Sequence, residues 1–211
     1  MSDAYDLCGG AGMERIDCLK LLAPMITDEL VCIGIAGVNW EWRYLSKHEG
    51  NMTIGTLGHT LAVGVGMAMS LPHRRVIVLE SDGSSLADLP VLTTIGTYRP
   101  PNLKVFVFDN ELYSGSRISD PTATAHNTDL AKMADGAGIP TTATVRTVEA
   151  FGEQARAAFA EPGVRYVVAK VGEGAAARKL PRPRVDYLET KYRFVRYIER
   201  TEGISVFPEQ R

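Results

Sequence analysis

Apolar and polar positions alternate along this chain in blocks that change period. Met13, Ile16, Leu19 and Leu22 recur at helical spacing and predict a helix over residues 12–25. Leu30 to Ala36 is a short apolar run, read as a buried strand, and Val38 to Leu45 reads as a short helix carrying Trp40 and Trp42. A Gly-rich turn over residues 51–59 precedes a small-residue helix, Thr60 to Ser70, with Ala62, Gly64, Gly66 and Ala68. Small residues let a helix approach its neighbours closely. Val76-Ile77-Val78-Leu79 predicts a second strand, Leu86 to Thr97 a helix, and Leu103 to Phe108 a third strand. The polar stretch Tyr113 to Asn127 has no period, and a long irregular loop inside a compact domain is usually functional. A helix from Thr128 or Asp129 to Ala134 follows, then a strand Thr142 to Val145. Thr147 caps a helix to Ala160, and Val164 to Val171 is a last strand. Alternating strands and helices predict an α/β fold: a parallel sheet in three layers, with helices on both faces.

The chemistry concentrates where two of these strands end. The run Val76–Leu79 delivers Ser81-Asp82-Gly83-Ser84-Ser85, and Leu103–Phe108 delivers Asp109-Asn110. Consecutive parallel strands bring both ends to the same sheet edge, where ligands bind. A carboxylate and an amide oxygen there, with a nearby backbone carbonyl, are hard donors suited to Mg²⁺. The N–H groups of Gly83, Ser84 and Ser85 open a helix and form a phosphate cradle.

This pattern resembles the thiamine-diphosphate motif, Gly-Asp-Gly followed about 25 residues later by Asn. It reads Ser81-Asp82-Gly83 … Asp109-Asn110 here, with Ser in the first position. More narrowly, residues 12 to 175 resemble the β subunit of two-subunit sulfopyruvate decarboxylases and the matching half of phosphonopyruvate decarboxylases. The resemblance implies a diphosphate-binding fold over residues 1–175 and two cofactors, thiamine diphosphate and Mg²⁺. Asp82, the Asn110 side chain and the Leu112 carbonyl would be the metal ligands, and Tyr113 would adjoin the cofactor. It further implies that Gly55-Thr56-Leu57-Gly58 holds the aminopyrimidine, with the Gly55 carbonyl accepting from its amino group and Leu57 wedged between the two cofactor rings. His59, next in the chain, is the candidate catalytic acid or base, with helix capping as its alternative role.

The implied activity is decarboxylation of a small anionic 2-oxoacid, with the thiazolium as electron sink. The alternatives are a carboligase of the acetolactate-synthase type and a non-catalytic α/β partner subunit. In the resembled family a glutamate against the pyrimidine activates the cofactor, and it lies on a separate domain. One sheet's worth of strands leaves no place for it here, so the resemblance implies a separate pyrimidine-binding subunit and a hetero-oligomer active only when joined.

Composition narrows the remaining classes. Net charge is −2, so no general attraction to nucleic acid or anionic membrane is expected. No apolar run reaches the roughly 20 residues that span a bilayer. Cys8, Cys18 and Cys32 are odd in number and widely spaced, which suits free thiols in a cytoplasmic protein rather than a metal or iron–sulfur site. Residues 176–211 change character. A basic, Pro-containing connector leads to a helix over Val185 to Arg200, rich in aromatics, that reads either as an interface element or as a helix packed on its own domain. Trp40, Trp42 and Tyr5 are further interface candidates, and Arg117 is the candidate partner for an anionic substrate group.

Overall fold

The computed structural model describes residues 12–113, 120–174, 180 and 184–207. Tyr5, Cys8 and Arg117 lie outside them. Six parallel strands form one sheet in the order β2-β1-β3-β4-β8-β7. They are β1 (Leu30–Ile33), β2 (Asn51–Thr53), β3 (Val76–Ser81), β4 (Leu103–Asp109), β7 (Thr142–Val145) and β8 (Arg165–Lys170). Between β4 and β7 the chain adds a two-residue antiparallel pair, β5 (Leu112–Tyr113) with β6 (Asp120–Pro121).

The sheet is buried on both faces, so its strands read as continuous apolar runs. Val76 and Val78 of β3 join Val105 and Val107 of β4 in one core, under α3 (Thr60–Ser70), α5 (Val91–Tyr98) and α6 (Leu130–Gly136). Ile77 and Leu79 join Phe106 and Phe108 in the other, under α1 (Arg15–Leu22), α2 (Gly37–Leu45) and α7 (Val148–Ala160). One glycine of the small-residue helix is needed for this contact: a Cβ on Gly64 would come 2.3 Å from Val78 Cγ2. The expected three-layer α/β architecture is therefore present.

Local differences have identifiable causes. The helix expected over Leu86–Thr97 is two helices, α4 (Asp82–Ala87) and α5, because Pro90 disfavours helical backbone at Leu89 and interrupts the first segment. The first strand stops at Ile33 rather than Ala36, since the chain turns sharply there and Ala36 adopts φ 62°. Residues 51–53, read as part of a turn, pair with β1 as the edge strand. Trp42, an interface candidate by sequence, is fully buried and donates from Nε1 to Asn51 Oδ1 at 2.9 Å.

The last helix, α8 (Tyr187–Glu202), begins at Asp186, whose side chain caps it, and packs against β2. Phe194, Tyr197 and Ile198 enter the first core, while Leu188 and Tyr192 stay exposed. No helix among the described residues is long and apolar enough to cross a membrane.

Candidate cofactor site at the carboxyl edge of the sheet

The strand order reverses between β1 and β3, because β2 lies to one side of β1 and β3 to the other. Such a reversal leaves a crevice at the carboxyl ends of the strands, the usual ligand position in open α/β sheets. A cavity of about 310 Å³ sits there. Its wall combines the β1–α2 turn (Ile35 to Val38), the end of β3 (Ser81 and Gly83) and the segment after β4 (Asn110, Leu112 and Tyr113), with Leu57 and Arg15.

Asp82 is the most constrained group of the site. It is 1 % exposed, and its pKa is pushed up to about 6, by burial first and by the nearby Asp109 carboxylate second. Ser81 pairs with Phe108 across β3 and β4, so the next residues, Asp82 and Asp109, fall side by side. Four oxygens then run in a chain. Thr122 Oγ1 lies 2.8 Å from Asp82 Oδ2, the Thr122 and Thr124 hydroxyls 2.8 Å apart, and Thr124 Oγ1 2.7 Å from Asp109 Oδ1. Each hydroxyl donates to one carboxylate, Thr122 to Asp82 and Thr124 to Asp109, so the threonine pair holds the two carboxylates side by side. Asp109 is held from the other side by Lys170, at 2.7 Å, which also bonds Glu111 at 2.8 Å.

The donor set fits a divalent cation. The Asn110 side-chain amide stands 3.2 Å from Asp82 Oδ1 and 3.1 Å from the Leu112 carbonyl oxygen. With its nitrogen inward, it donates to both. With its oxygen inward, three oxygens converge, an arrangement that is repulsive until a cation enters. No group of three His, Cys, Asp or Glu side chains capable of holding a metal occurs among the described residues, so such a site depends on the amide and the carbonyl.

The other sequence candidates fall into place unevenly. Gly83 lines the cavity under the ring of Tyr113, whose Cε1 would be 2.5 Å from a Cβ on that glycine. Ser84 and Ser85 are buried, and the Ser84 hydroxyl accepts from the Gly58 N–H at 2.8 Å, which ties the Gly-rich turn to α4. Their side chains therefore face inward, leaving only backbone for a ligand. Ser81, where the motif has glycine, has φ −107° and ψ 161°, a backbone any residue adopts. Leu57 is 44 % exposed and lines the cavity. Gly55 and Thr56 are exposed beside it, and the ring of Tyr187 rests on Gly55, where a Cβ would meet it at 2.8 Å. His59 is exposed at the N-cap of α3, outside the cavity lining. Its Nδ1 lies 2.9 Å from the Leu57 carbonyl, which places the proton on that nitrogen.

Sequence reasoning missed Arg15, the Ile35–Val38 turn and the hydroxyls of Thr122 and Thr124. Glu80, the residue before Ser81, points toward Thr60 at the start of α3, fully buried, with Oε1 accepting from the Ser81 N–H at 2.9 Å. Burial pushes its pKa up to about 7.

A doubly wound α/β protein with a cation-ready donor set at its switch point is what these features define. Residues 38–169 match the family model described as thiamine pyrophosphate enzyme, C-terminal TPP binding domain. The chain belongs to that family. It is 31 % identical over 193 residues to the sulfopyruvate decarboxylase subunit beta of Methanocaldococcus jannaschii, covering 89 % of this chain and 98 % of the relative. It is 28 % identical over 180 residues to the phosphonopyruvate decarboxylase of Streptomyces viridochromogenes, covering 85 % of this chain and 44 % of the relative. The benzoylformate decarboxylase structure from Polynucleobacter necessarius shares the fold, with a TM-score of 0.66 at 17 % identity. That match spans 77 % of this chain and 34 % of that one.

Proposed function

We propose that this chain is the diphosphate-binding subunit of a two-subunit, thiamine-diphosphate-dependent 2-oxoacid decarboxylase. The observation that carries the proposal is the convergence of Asp82, Asn110 and the Leu112 carbonyl on one point at the switch-point cavity, in a chain of the thiamine pyrophosphate family. The relative named as a beta subunit is matched over nearly its whole length, which supports the division into subunits.

In this role Asp82, Asn110 and the Leu112 carbonyl hold Mg²⁺. Thr122 and Thr124 fix the direction of the Asp82 carboxylate, and ligand hydroxyls and amides oriented in this way govern metal affinity. The Gly83 backbone and the start of α4 would face the diphosphate, and Leu57, on the cavity wall, would pack against the cofactor rings. When bound, thiamine diphosphate supplies a thiazolium that accepts the electrons left as the 2-oxoacid loses CO₂. His59 stands outside the cavity lining, and its bond to the Leu57 carbonyl fixes the turn that carries Leu57. The activating glutamate comes from the partner subunit.

Assaying the purified chain with saturating Mg²⁺ and thiamine diphosphate, alone and with its partner subunit, tests this reading. No release of CO₂ from 2-oxoacids is expected from the chain alone, and activity appears when the partner is added. Full activity from the chain alone would overturn the two-subunit reading, and activity that does not require thiamine diphosphate would overturn the cofactor assignment.

A further inference from the structure

The switch-point cavity has a single formally charged side chain in its lining, Arg15. It is 4 % exposed and stands at the first position of α1, outside the segment 38–169 that the family model covers. Its Nε and Nη2 are committed to Glu41, at 2.7 and 3.2 Å, and Glu41 is itself fully buried. A buried ion pair of this kind rarely contributes more stability than apolar residues of the same volume. Its presence on a cavity wall therefore points to a task beyond packing. No hydrogen bond engages Nη1 among the described residues.

The surrounding backbone is shaped around this guanidinium. A Cβ on Gly37 would come 2.2 Å from Arg15 Nη2, and one on Gly174 would come 2.6 Å from it. Only bare backbone on both sides admits the group. Beside it, Ala36 holds φ 62° and ψ −136°, a conformation that non-glycine residues rarely adopt and that tends to be kept where a ligand is clamped. Ala36 and Gly37 line the same cavity as Arg15, Asn110 and Leu112.

We propose that Arg15 is the phosphate-binding cation of this cavity, taking an oxygen of a diphosphate whose other oxygens meet the cation held by Asp82, Asn110 and the Leu112 carbonyl. The inference rests on the functional reading given above. Two features favour a diphosphate over the anionic group of a substrate. Arg15, Asn110 and Leu112 line one cavity, so a ligand with anionic oxygens at two points can meet the guanidinium and the oxygen cluster together. A diphosphate bound to one divalent cation keeps oxygens that the cation does not take, and Arg15, whose charge is balanced by Glu41, still offers them an N–H donor. The guanidinium, fixed by Glu41, is oriented in advance for an oxygen acceptor.

Calorimetry on the chain with its partner subunit tests the assignment. It compares Mg²⁺–thiamine diphosphate with Mg²⁺–thiamine monophosphate. The double substitution Arg15→Gln with Glu41→Gln removes both charges and leaves no buried carboxylate unpaired. It should weaken diphosphate binding by about tenfold or more, with little change for the monophosphate. Arg15→Lys keeps the charge and the ion pair, so it should recover part of the loss and serves as the readout if the double variant does not fold. Unchanged diphosphate affinity in either folded variant, with only the KM for the 2-oxoacid raised, would overturn the proposal and assign Arg15 to the substrate. A wild-type complex that binds no thiamine diphosphate would instead overturn the functional reading, and this assignment with it.

Discussion

The two edges of the sheet differ in how they hold their buried charged groups. At the amino edge, where strands begin, charged and amide groups are tied down several times over. Asn102 Nδ2 donates to the carbonyls of Ala68, Leu71 and Arg74 at 2.7 to 3.1 Å. Arg75 bonds Glu29 and the Phe159 carbonyl, and Arg74 bonds Tyr197, Thr201 and Glu202. Lys104 donates to the Glu161 and Gly163 carbonyls, although burial lowers its pKa to about 8. At the carboxyl edge Asp82 and Asp109 crowd together, and burial drives the Glu80 carboxyl toward its neutral form. Single atoms lack a partner at both edges, Asn102 Oδ1 and Arg74 Nε among them, so what distinguishes the carboxyl edge is its group of buried carboxylates, which a bound cation would neutralise.

The comparison is tested most strongly by Asp82→Ala. This substitution should reduce Mg²⁺-dependent cofactor affinity by at least about 100-fold, because water replaces a lost carboxylate poorly at a hard cation. The melting temperature of the unliganded chain should hold or rise, since a buried carboxylate next to Asp109 is removed. Unchanged affinity by calorimetry would show that the cation sits elsewhere.

Changing pH should separate the edges next. Asp82 and Glu80 both have raised values in the fold, about 6 and about 7, so between pH 4.5 and 7 the folded chain holds protons that the unfolded chain has released. Their contribution is complete below that window and is lost as pH rises through it, on the order of 3 kcal/mol for each group. Denaturant titrations of the unliganded chain should therefore show falling stability from pH 5 to 8, and Glu80→Gln should flatten the curve. A flat wild-type curve would mean that the carboxyl edge is better satisfied than its geometry indicates.

Asn102→Ala should give the converse result at the amino edge. It removes a shared donor from three carbonyls and should cost about 2 kcal/mol of stability, visible as a lower melting temperature, with cofactor affinity unchanged. A matching loss of cofactor affinity would show that the two edges are coupled. The smallest expected effect is that of Thr122→Val. Loss of the hydroxyl beside Asp82 should weaken Mg²⁺ binding about tenfold, and Thr122→Ser should restore it. Equal loss in both variants would point to packing rather than orientation.

Much of this arrangement was legible in the sequence because it is local. The helix over Thr60–Ser70, the Thr147 cap and the strand Thr142–Val145 follow from period and capping chemistry alone. Asp82 and Asn110 were placed by the strands that precede them. Pro90 carried the signal for the break between α4 and α5, and it was outweighed by the apolar run around it. Arg15, Thr122 and Thr124 had no local signal. An arginine in the first turn of an amphipathic helix and threonines in a polar loop look like surface residues until the sheet gathers them. Ala36 was hidden for another reason: a left-handed turn is normally announced by glycine, and here alanine occupies it.

The contact of Tyr187 with Gly55 joins residues far apart in the chain and sets an order of events during synthesis. β2 is an edge strand, and α8 lies against it. Until residues 187–202 leave the ribosome, that edge and the Gly-rich turn beyond it stand uncovered. An uncovered strand edge is a template for pairing with other chains. A nascent chain can therefore form most of its sheet while the β2 flank lacks its helix, and α8, made later, both packs against that strand and lays Tyr187 on the turn beside the site.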